Sequence, residues 1–243
     1  MRFTNLTYLE IAAAAADGAI AVLPTGCTEQ QGPHLGVGFD SWFAEEVCVA
    51  ASDDAKSAGV DALVLPALPY GPTPEHKGFG SGYIDIPVPV QDALVEAALG
   101  SLADQGFGRI VVWRGCGEHD LTGAVETFNT NRTDGARAFL PELPYHDIWC
   151  EVADPSIPGG HADSFATSIA LHRHPELVRT EAIPTEVSAQ PDWSEGHLDF
   201  TKVSSSGVVG DATHASDELG SRLWDACVAS VAATFAAIAN DPA

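Results

Sequence analysis

The chain has 243 residues, 45% hydrophobic and 19% charged, values that exclude disorder and suit one sizeable core better than two small ones. A formal net charge of −23, from 34 acidic against 11 basic residues, opposes binding to nucleic acid or to anionic membranes and would steer in a cationic substrate, the simpler reading being an acidic proteome or a solubility device. The five cysteines, Cys27, Cys48, Cys116, Cys150 and Cys227, are odd in number and scattered without C-x-x-C spacing, which argues against a disulfide framework and against a structural zinc knuckle.

In chain order, Tyr8 to Ala16 reads as a first, Ala-rich helix closed by Asp17-Gly18, and Ala19 to Pro24 as a buried strand. Apolar residues recur at helical spacing from Ser41 to Ala58 and stop at Gly59. Asp61 to Pro66 reads as a second buried strand, followed by a long Pro- and Gly-rich loop from Pro69 to Gly82. Pro89 to Gln105 is an amphipathic helix, and Gly106-Phe107-Gly108 turns into a third strand, Arg109 to Trp113. Beyond it the pattern predicts a helix from Leu121 to Phe139, a strand near Tyr145 to Val152, a helix from Ser164 to His172 and a strong final helix from Asp217 to Ala239. Strands alternating with helices predict an α/β fold: a three-layer α/β/α arrangement with a mainly parallel sheet, one domain over residues 1–243. No basic-then-apolar leader and no long uninterrupted apolar run stands out, so the expected setting is cytoplasmic.

Two strands run straight into loops crowded with chemistry-bearing side chains. The first loop carries Cys27, Glu29, Gln30, Gln31 and His34, with Asp40 just beyond, and the second carries Cys116, Glu118 and His119 between glycines. Loops at strand ends are held by the sheet while their polar groups stay accessible, so two of them facing one crevice, with Pro158 to Ser164 as a third wall, form an active-site hypothesis.

These stretches resemble the creatininase (creatinine amidohydrolase) family of metal-dependent hydrolases. Pro24 to Leu35 resembles its P-x-G-S/T-x-E-Q-H-G-P-H-L run, Pro69 to His76 its P-Y-G-x-S-x-E-H, Gly106 to His119 its glycine-turn segment, His161 to Ser168 its H-A-G-x-x-E-T-S, and Gly207 to Asp211 its G-V-x-G-D. The resemblance implies a creatininase-like fold, a homo-oligomer with the hexamer as its expected size, and two metal positions. By that analogy Glu29, Asp40 and Glu118 are carboxylate ligands, but Gln31 and Cys116 stand where the family has histidines, Ala166 stands for a Glu, and Arg114 for an Asn. One ion is therefore expected rather than two, and an empty centre stays open. Cys116 is a fourth candidate ligand, and a thiolate among carboxylates suits zinc, with manganese or iron as alternatives. His34 and His119 are candidate replacements for the lost imidazoles.

A bound divalent ion supplies a nucleophilic water and polarises a carbonyl, so the implied reaction is hydrolysis of a non-peptide C–N bond in an amide, cyclic amide or formamide. His161 matches the family histidine that handles protons, and an ordinary imidazole pKa near 6.5 suits that task. The Glu75–His76 pair reads as loop support or a subunit contact. Glu118 is either a ligand or a proton carrier. Cys116 also admits a metal-independent reading as nucleophile, and a non-catalytic binding descendant is the third reading.

Overall fold

The computed structural model describes residues 1–193 and 198–241. Its centre is β1 (Ile20–Thr25), buried along its whole length. On one side β1 pairs in parallel with β2 (Ala62–Val64), Ile20 opposite Ala62. On the other it pairs in parallel with β3 (Arg109–Arg114), Ala21 opposite Ile110 and Thr25 opposite Arg114. β4 (Arg137–Phe139) adds to β3, giving the four-stranded order β2-β1-β3-β4.

The two-residue period of the strands divides their side chains between two cores. Ile20, Val22, Ala62, Val64, Val111 and Trp113 face one apolar cluster, while Ala21, Leu23, Leu63, Ile110 and Val112 face the other. The first cluster is covered by α2 (Phe39–Ser57), α5 (Tyr145–Val152), α6 (Ser164–Arg173) and α7 (Asp217–Ala239). The second is covered by α1 (Tyr8–Ala16), α3 (Val88–Asp104) and α4 (Thr122–Asn131). The two cores thus share one sheet, which is the expected three-layer α/β/α arrangement with a parallel sheet. α7 is long and apolar enough to cross a membrane by length and composition alone. Here it packs against α2 and α6 and buries Leu223, Cys227, Val231 and Phe235 in the core.

Two expectations are corrected. Tyr145 to Val152 is helix α5, not a strand; Tyr145, Ile148, Trp149 and Val152 recur at helical spacing, and that period outweighs the β propensity of the residue types. The helix expected from Leu121 to Phe139 ends at Asn131. A turn at Asp134-Gly135, with φ +89° at the glycine, then leads into β4.

β1 continues into α2 on one face of the sheet and β3 into α4 on the other, so the loops after these neighbouring strands part company. A crevice opens between them, the usual ligand position of an open α/β sheet. Glycines bring the N-terminus of α2 down onto it. A Cβ at Gly115 would lie 2.2 Å from the Asp40 carbonyl oxygen, and one at Gly26 would lie 2.5 Å from Ser41 Cα.

Candidate active site

The crevice deepens into a cavity of about 590 Å³. Glu29 reaches it from the loop after β1, Asp40 from the first turn of α2, and Cys116 and Glu118 from the loop after β3. His76 enters from a 3-10 helix, Pro74–Phe79, inside the long Pro- and Gly-rich loop. His161 comes from the segment before α6, where an antiparallel bridge to Val209 pins its backbone. The next residue, Ala162, is held at φ +51°, a left-handed conformation costly for any residue with a Cβ. Asp163 then caps α6 through the Phe165 and Ala166 amides, so the capping role falls to Asp163 and leaves His161 free to face the cavity. Phe43, Trp149, Trp193 and Phe200 supply apolar wall, and among the described residues no Lys or Arg lines the cavity.

Ligand-type atoms gather in three overlapping sets, each within 4.8 Å: Glu29 with His76 and His161, Cys27 with Glu29 and Asp40, and Cys27 with Cys116 and His119. The Cys27 thiol lies 3.0 Å from Glu29 Oε2 and 3.1 Å from Asp40 Oδ2. The Gln31 amide donates to Glu29 at 3.3 Å and to Asp40 at 2.9 Å, so a neutral N–H donor bridges the two buried carboxylates. Burial, and then the negative charge of Cys116, raise the pKa of Glu29. Burial and the charge of Glu29 push Asp40 well above the usual carboxylate range. Glu118 is raised to about 7, by burial first and then by Cys116, Glu75 and Glu29.

The two sulfurs differ sharply. A hydrogen bond from Cys27 outweighs burial and, with His119, lowers Cys116 to about 5. Burial and Cys116 push Cys27 well above the ordinary thiol value. Burial pulls His119 down, but Cys116, Glu29 and Asp40 win and raise it to about 9. The ring of His119 is clamped from both ends: Nε2 donates to the Pro72 carbonyl at 3.1 Å and Nδ1 accepts from Gln91 at 3.2 Å.

His161 behaves otherwise than its type suggests. Burial, then the charge of His76, lower its pKa to about 3, so the ring is neutral and the expected value near 6.5 does not hold. Its Nε2–H donates to the Gln30 carbonyl at 2.7 Å, and Nδ1 turns a lone pair to the Glu29 carboxyl at 3.5 Å. His76 is pulled two ways. Burial lowers its pKa, but Glu29 at 3.3 Å and Glu75 at 3.2 Å raise it to about 10. The Gln30 amide, held by the Gly32 N–H and the Gly207 carbonyl, donates to its Nδ1 at 3.0 Å. That contact opposes a charged His76 ring, because a proton on Nδ1 would point at another N–H, whereas the two carboxylates favour one.

All the residues expected at the site, Glu29, Asp40, Cys116, Glu118 and His161, line one cavity. Glu118 nevertheless belongs to none of the three ligand sets, and His119 belongs to one. His34 goes elsewhere: its Nε2 bonds Thr167 Oγ1 at 2.7 Å and burial lowers its pKa to about 4. Sequence reasoning named Cys27 and Gln30 only as members of the first loop, missed Phe200, and gave His76 only a supporting place. The spacing of Cys27, Glu29 and Gln31 by twos, directly after a strand, was the available signal, since alternate residues of extended chain share a side. Phe200 packs against both His76 and His161, with ring centroids at 4.9 and 5.3 Å, and nothing in its local sequence marks it.

A family model described as creatinine amidohydrolase matches residues 4–235. The mycofactocin precursor peptide peptidase of Mycobacterium tuberculosis is 32% identical over 222 residues, covering 85% of this chain and 80% of that protein. The creatinine amidohydrolase of Pseudomonas putida is 26% identical over 256 residues, covering 94% and 93%. Among solved structures, a zinc–zinc form of a mutant creatininase superposes with a TM-score of 0.83 at 22% identity, over 96% of both chains. A manganese form superposes with a TM-score of 0.83 at 20% identity, again over 96% of both chains.

Proposed function

The chain belongs to the creatininase family of C–N hydrolases, and we propose that it is a metal-dependent enzyme acting on a non-peptide amide, cyclic amide or formamide in a small uncharged or cationic metabolite. The observation that carries this reading is the buried Glu29–Asp40 pair. Glu29 belongs to two of the ligand sets and Asp40 to one of them, and among the described residues neither is paired with a Lys or Arg. Buried carboxylates left that way call for a cation or for protons. The donors fit a divalent ion, zinc first, with manganese or iron as alternatives: Glu29 and Asp40 at the centre, His76 and His161 to one side, Cys116 and His119 to the other.

Such an ion, when bound, lowers the pKa of its water and polarises the scissile carbonyl. The protein's own groups do the rest. Glu118, near pH 7 in its pKa and outside the ligand sets, is suited to carry a proton to the leaving nitrogen. Gln30 fixes the rings of His76 and His161. Trp149, Trp193 and Phe200 hold a flat substrate and exclude water. Four carboxylates on the wall, Glu29, Asp40, Glu118 and Asp163, with no Lys or Arg among the described lining residues, select against anionic substrates.

The test is a panel of lactams, formamides and short peptides offered to metal-stripped protein and to protein loaded with Zn²⁺, Mn²⁺ or Fe²⁺. Metal-dependent turnover of a lactam or formamide is expected. Turnover of peptides alone would overturn the non-peptide assignment, an outcome to which the peptidase-named relative gives weight. A second reading is favoured by the lowered pKa of Cys116 beside the ring of His119, a thiolate next to an imidazole, the pairing of a cysteine nucleophile. Turnover that survives metal removal and stops on alkylation of Cys116 would replace the first reading with this one. We propose further that the protein is a cytoplasmic homo-oligomer, a hexamer by family analogy. Exposed Tyr8, Leu9, Val88 and Val90 support an interface, and sedimentation as a 25.4 kDa monomer would refute it.

A further inference from the structure

We propose that Cys27, Cys116 and His119 form a two-thiolate, one-imidazole site for a borderline-soft divalent cation, Zn²⁺ before Mn²⁺, three protein ligands with the fourth position left open. The inference rests on the metal-dependent reading in requiring that an ion bind; it shares Cys116 and His119 with the donors named there and adds Cys27.

The geometry comes from two adjacent loops whose approach is set by Gly26 and Gly115. One ligand atom from each of Cys27, Cys116 and His119 lies within 4.8 Å of the other two. A tetrahedral zinc with bonds of about 2.3 Å to sulfur holds two sulfurs about 3.8 Å apart, a separation inside the limit that the set obeys. Asp40 Oδ2 lies 3.1 Å from the Cys27 sulfur but outside this ligand set. All three side chains are shielded from solvent, and the carbonyl of Pro72 accepts from Nε2 of His119, the kind of outer contact that orients a metal-bound imidazole, so an ion takes Nδ1 in place of its Gln91 donor. A Cβ at Gly71 would strike this ring at 2.1 Å, so the backbone has been cut back to seat it.

The sulfurs are not explained as small core hydrophobes. Cys48 and Cys227 fill that role among apolar neighbours, and Cys150 is exposed. Cys27 instead faces two carboxylates and Cys116. Both positions also depart from the pattern quoted above, Cys27 from a Ser or Thr and Cys116 from a His, and the two departures lie side by side in the fold. Sulfur donors shift the preference of the centre from hard ions toward zinc.

X-ray absorption at the zinc edge of the intact, zinc-loaded protein tests this directly, without a variant that must fold. Two sulfur neighbours at about 2.3 Å are expected; one or none overturns the site, as does failure to retain an equivalent of zinc. Cobalt substitution gives a second measure. A sulfur-to-cobalt charge-transfer band is expected, weakened in Cys27→Ser and in Cys116→Ser, with zinc affinity falling more than about 100-fold in each, since even outer contacts are worth 10- to 100-fold. Glu29→Gln should keep the band. Two sulfurs without turnover of any substrate would sink the hydrolase reading and leave this site standing, whereas metal-dependent turnover with only nitrogen and oxygen ligands would do the reverse.

Discussion

Gln30 is the residue on which the two imidazoles of the cavity depend. Its carbonyl accepts from His161, and its side chain donates to His76 and to the Gly207 carbonyl while accepting from the Gly32 amide. Gln30→Leu keeps the carbonyl and most of the volume but leaves the His76 ring and two buried backbone groups without partners. Metal affinity, read by competition with a chromophoric chelator, should fall about 10- to 100-fold, the usual cost of an orienting contact. An unchanged affinity would show that the His76 ring is held by its carboxylates alone. Glu118 makes the opposite case: it lines the cavity but joins none of the ligand sets. Glu118→Gln should therefore leave zinc stoichiometry intact while lowering kcat by about 10²- to 10⁴-fold, the range for a lost proton carrier. Loss of the ion in that variant would return Glu118 to the ligand role that family analogy gives it.

Between elements, α2 and the end of α6 are cross-linked at the surface by Glu46, which accepts from Arg173 at 3.1 Å and His174 at 2.9 Å, with the His174 ring against Trp42 at 4.6 Å. Burial alone would lower the pKa of His174, but Glu46 and Glu176 outweigh it and the net shift is upward. A raised imidazole pKa means that the protonated ring binds more tightly folded than unfolded. Its contribution is thus complete below the unfolded value of about 6.5 and is lost as pH rises through the higher folded one. His174→Gln should lower the thermal midpoint at pH 5.5 more than at pH 8.5, by an amount corresponding to about 0.5 kcal/mol for so exposed a pair. An equal loss at both pH values would assign the effect to packing on Trp42. At this scale most of the architecture was legible, because strands and long helices carry a period: β1, β3 and the bounds of α7 were found from their apolar spacing. α5 was misread because eight residues are too few for period to outvote Tyr, Ile, Trp and Val, and β4 because three residues show no period at all.

Over the whole molecule, the sequence showed which loops meet but not which of their side chains turn inward. Loops have no repeat, so Cys27, His76 and Phe200 became members of the site only once the backbone was placed. Net charge, by contrast, needs no structure. With 34 acidic against 11 basic residues, one-to-one pairing would leave about two thirds of the carboxylates without a Lys or Arg. The exposed pairs that do form, such as Arg132 with Asp104 and Lys202 with Asp199, are worth about 0–1 kcal/mol each. Repulsion among the remainder opposes compaction. Salt shortens the reach of both effects, from about 10 Å at 0.1 M to about 3 Å at 1 M. Contact pairs a few ångströms apart are screened less than repulsions spread across the surface, so the repulsive sum is the larger loss. Raising NaCl from 0.1 to 1 M should therefore raise the thermal midpoint, and sucrose at matched osmolarity should reproduce only part of the gain. A midpoint that falls with salt would mean that the few ion pairs, and not the unpaired carboxylates, dominate the electrostatics of this fold.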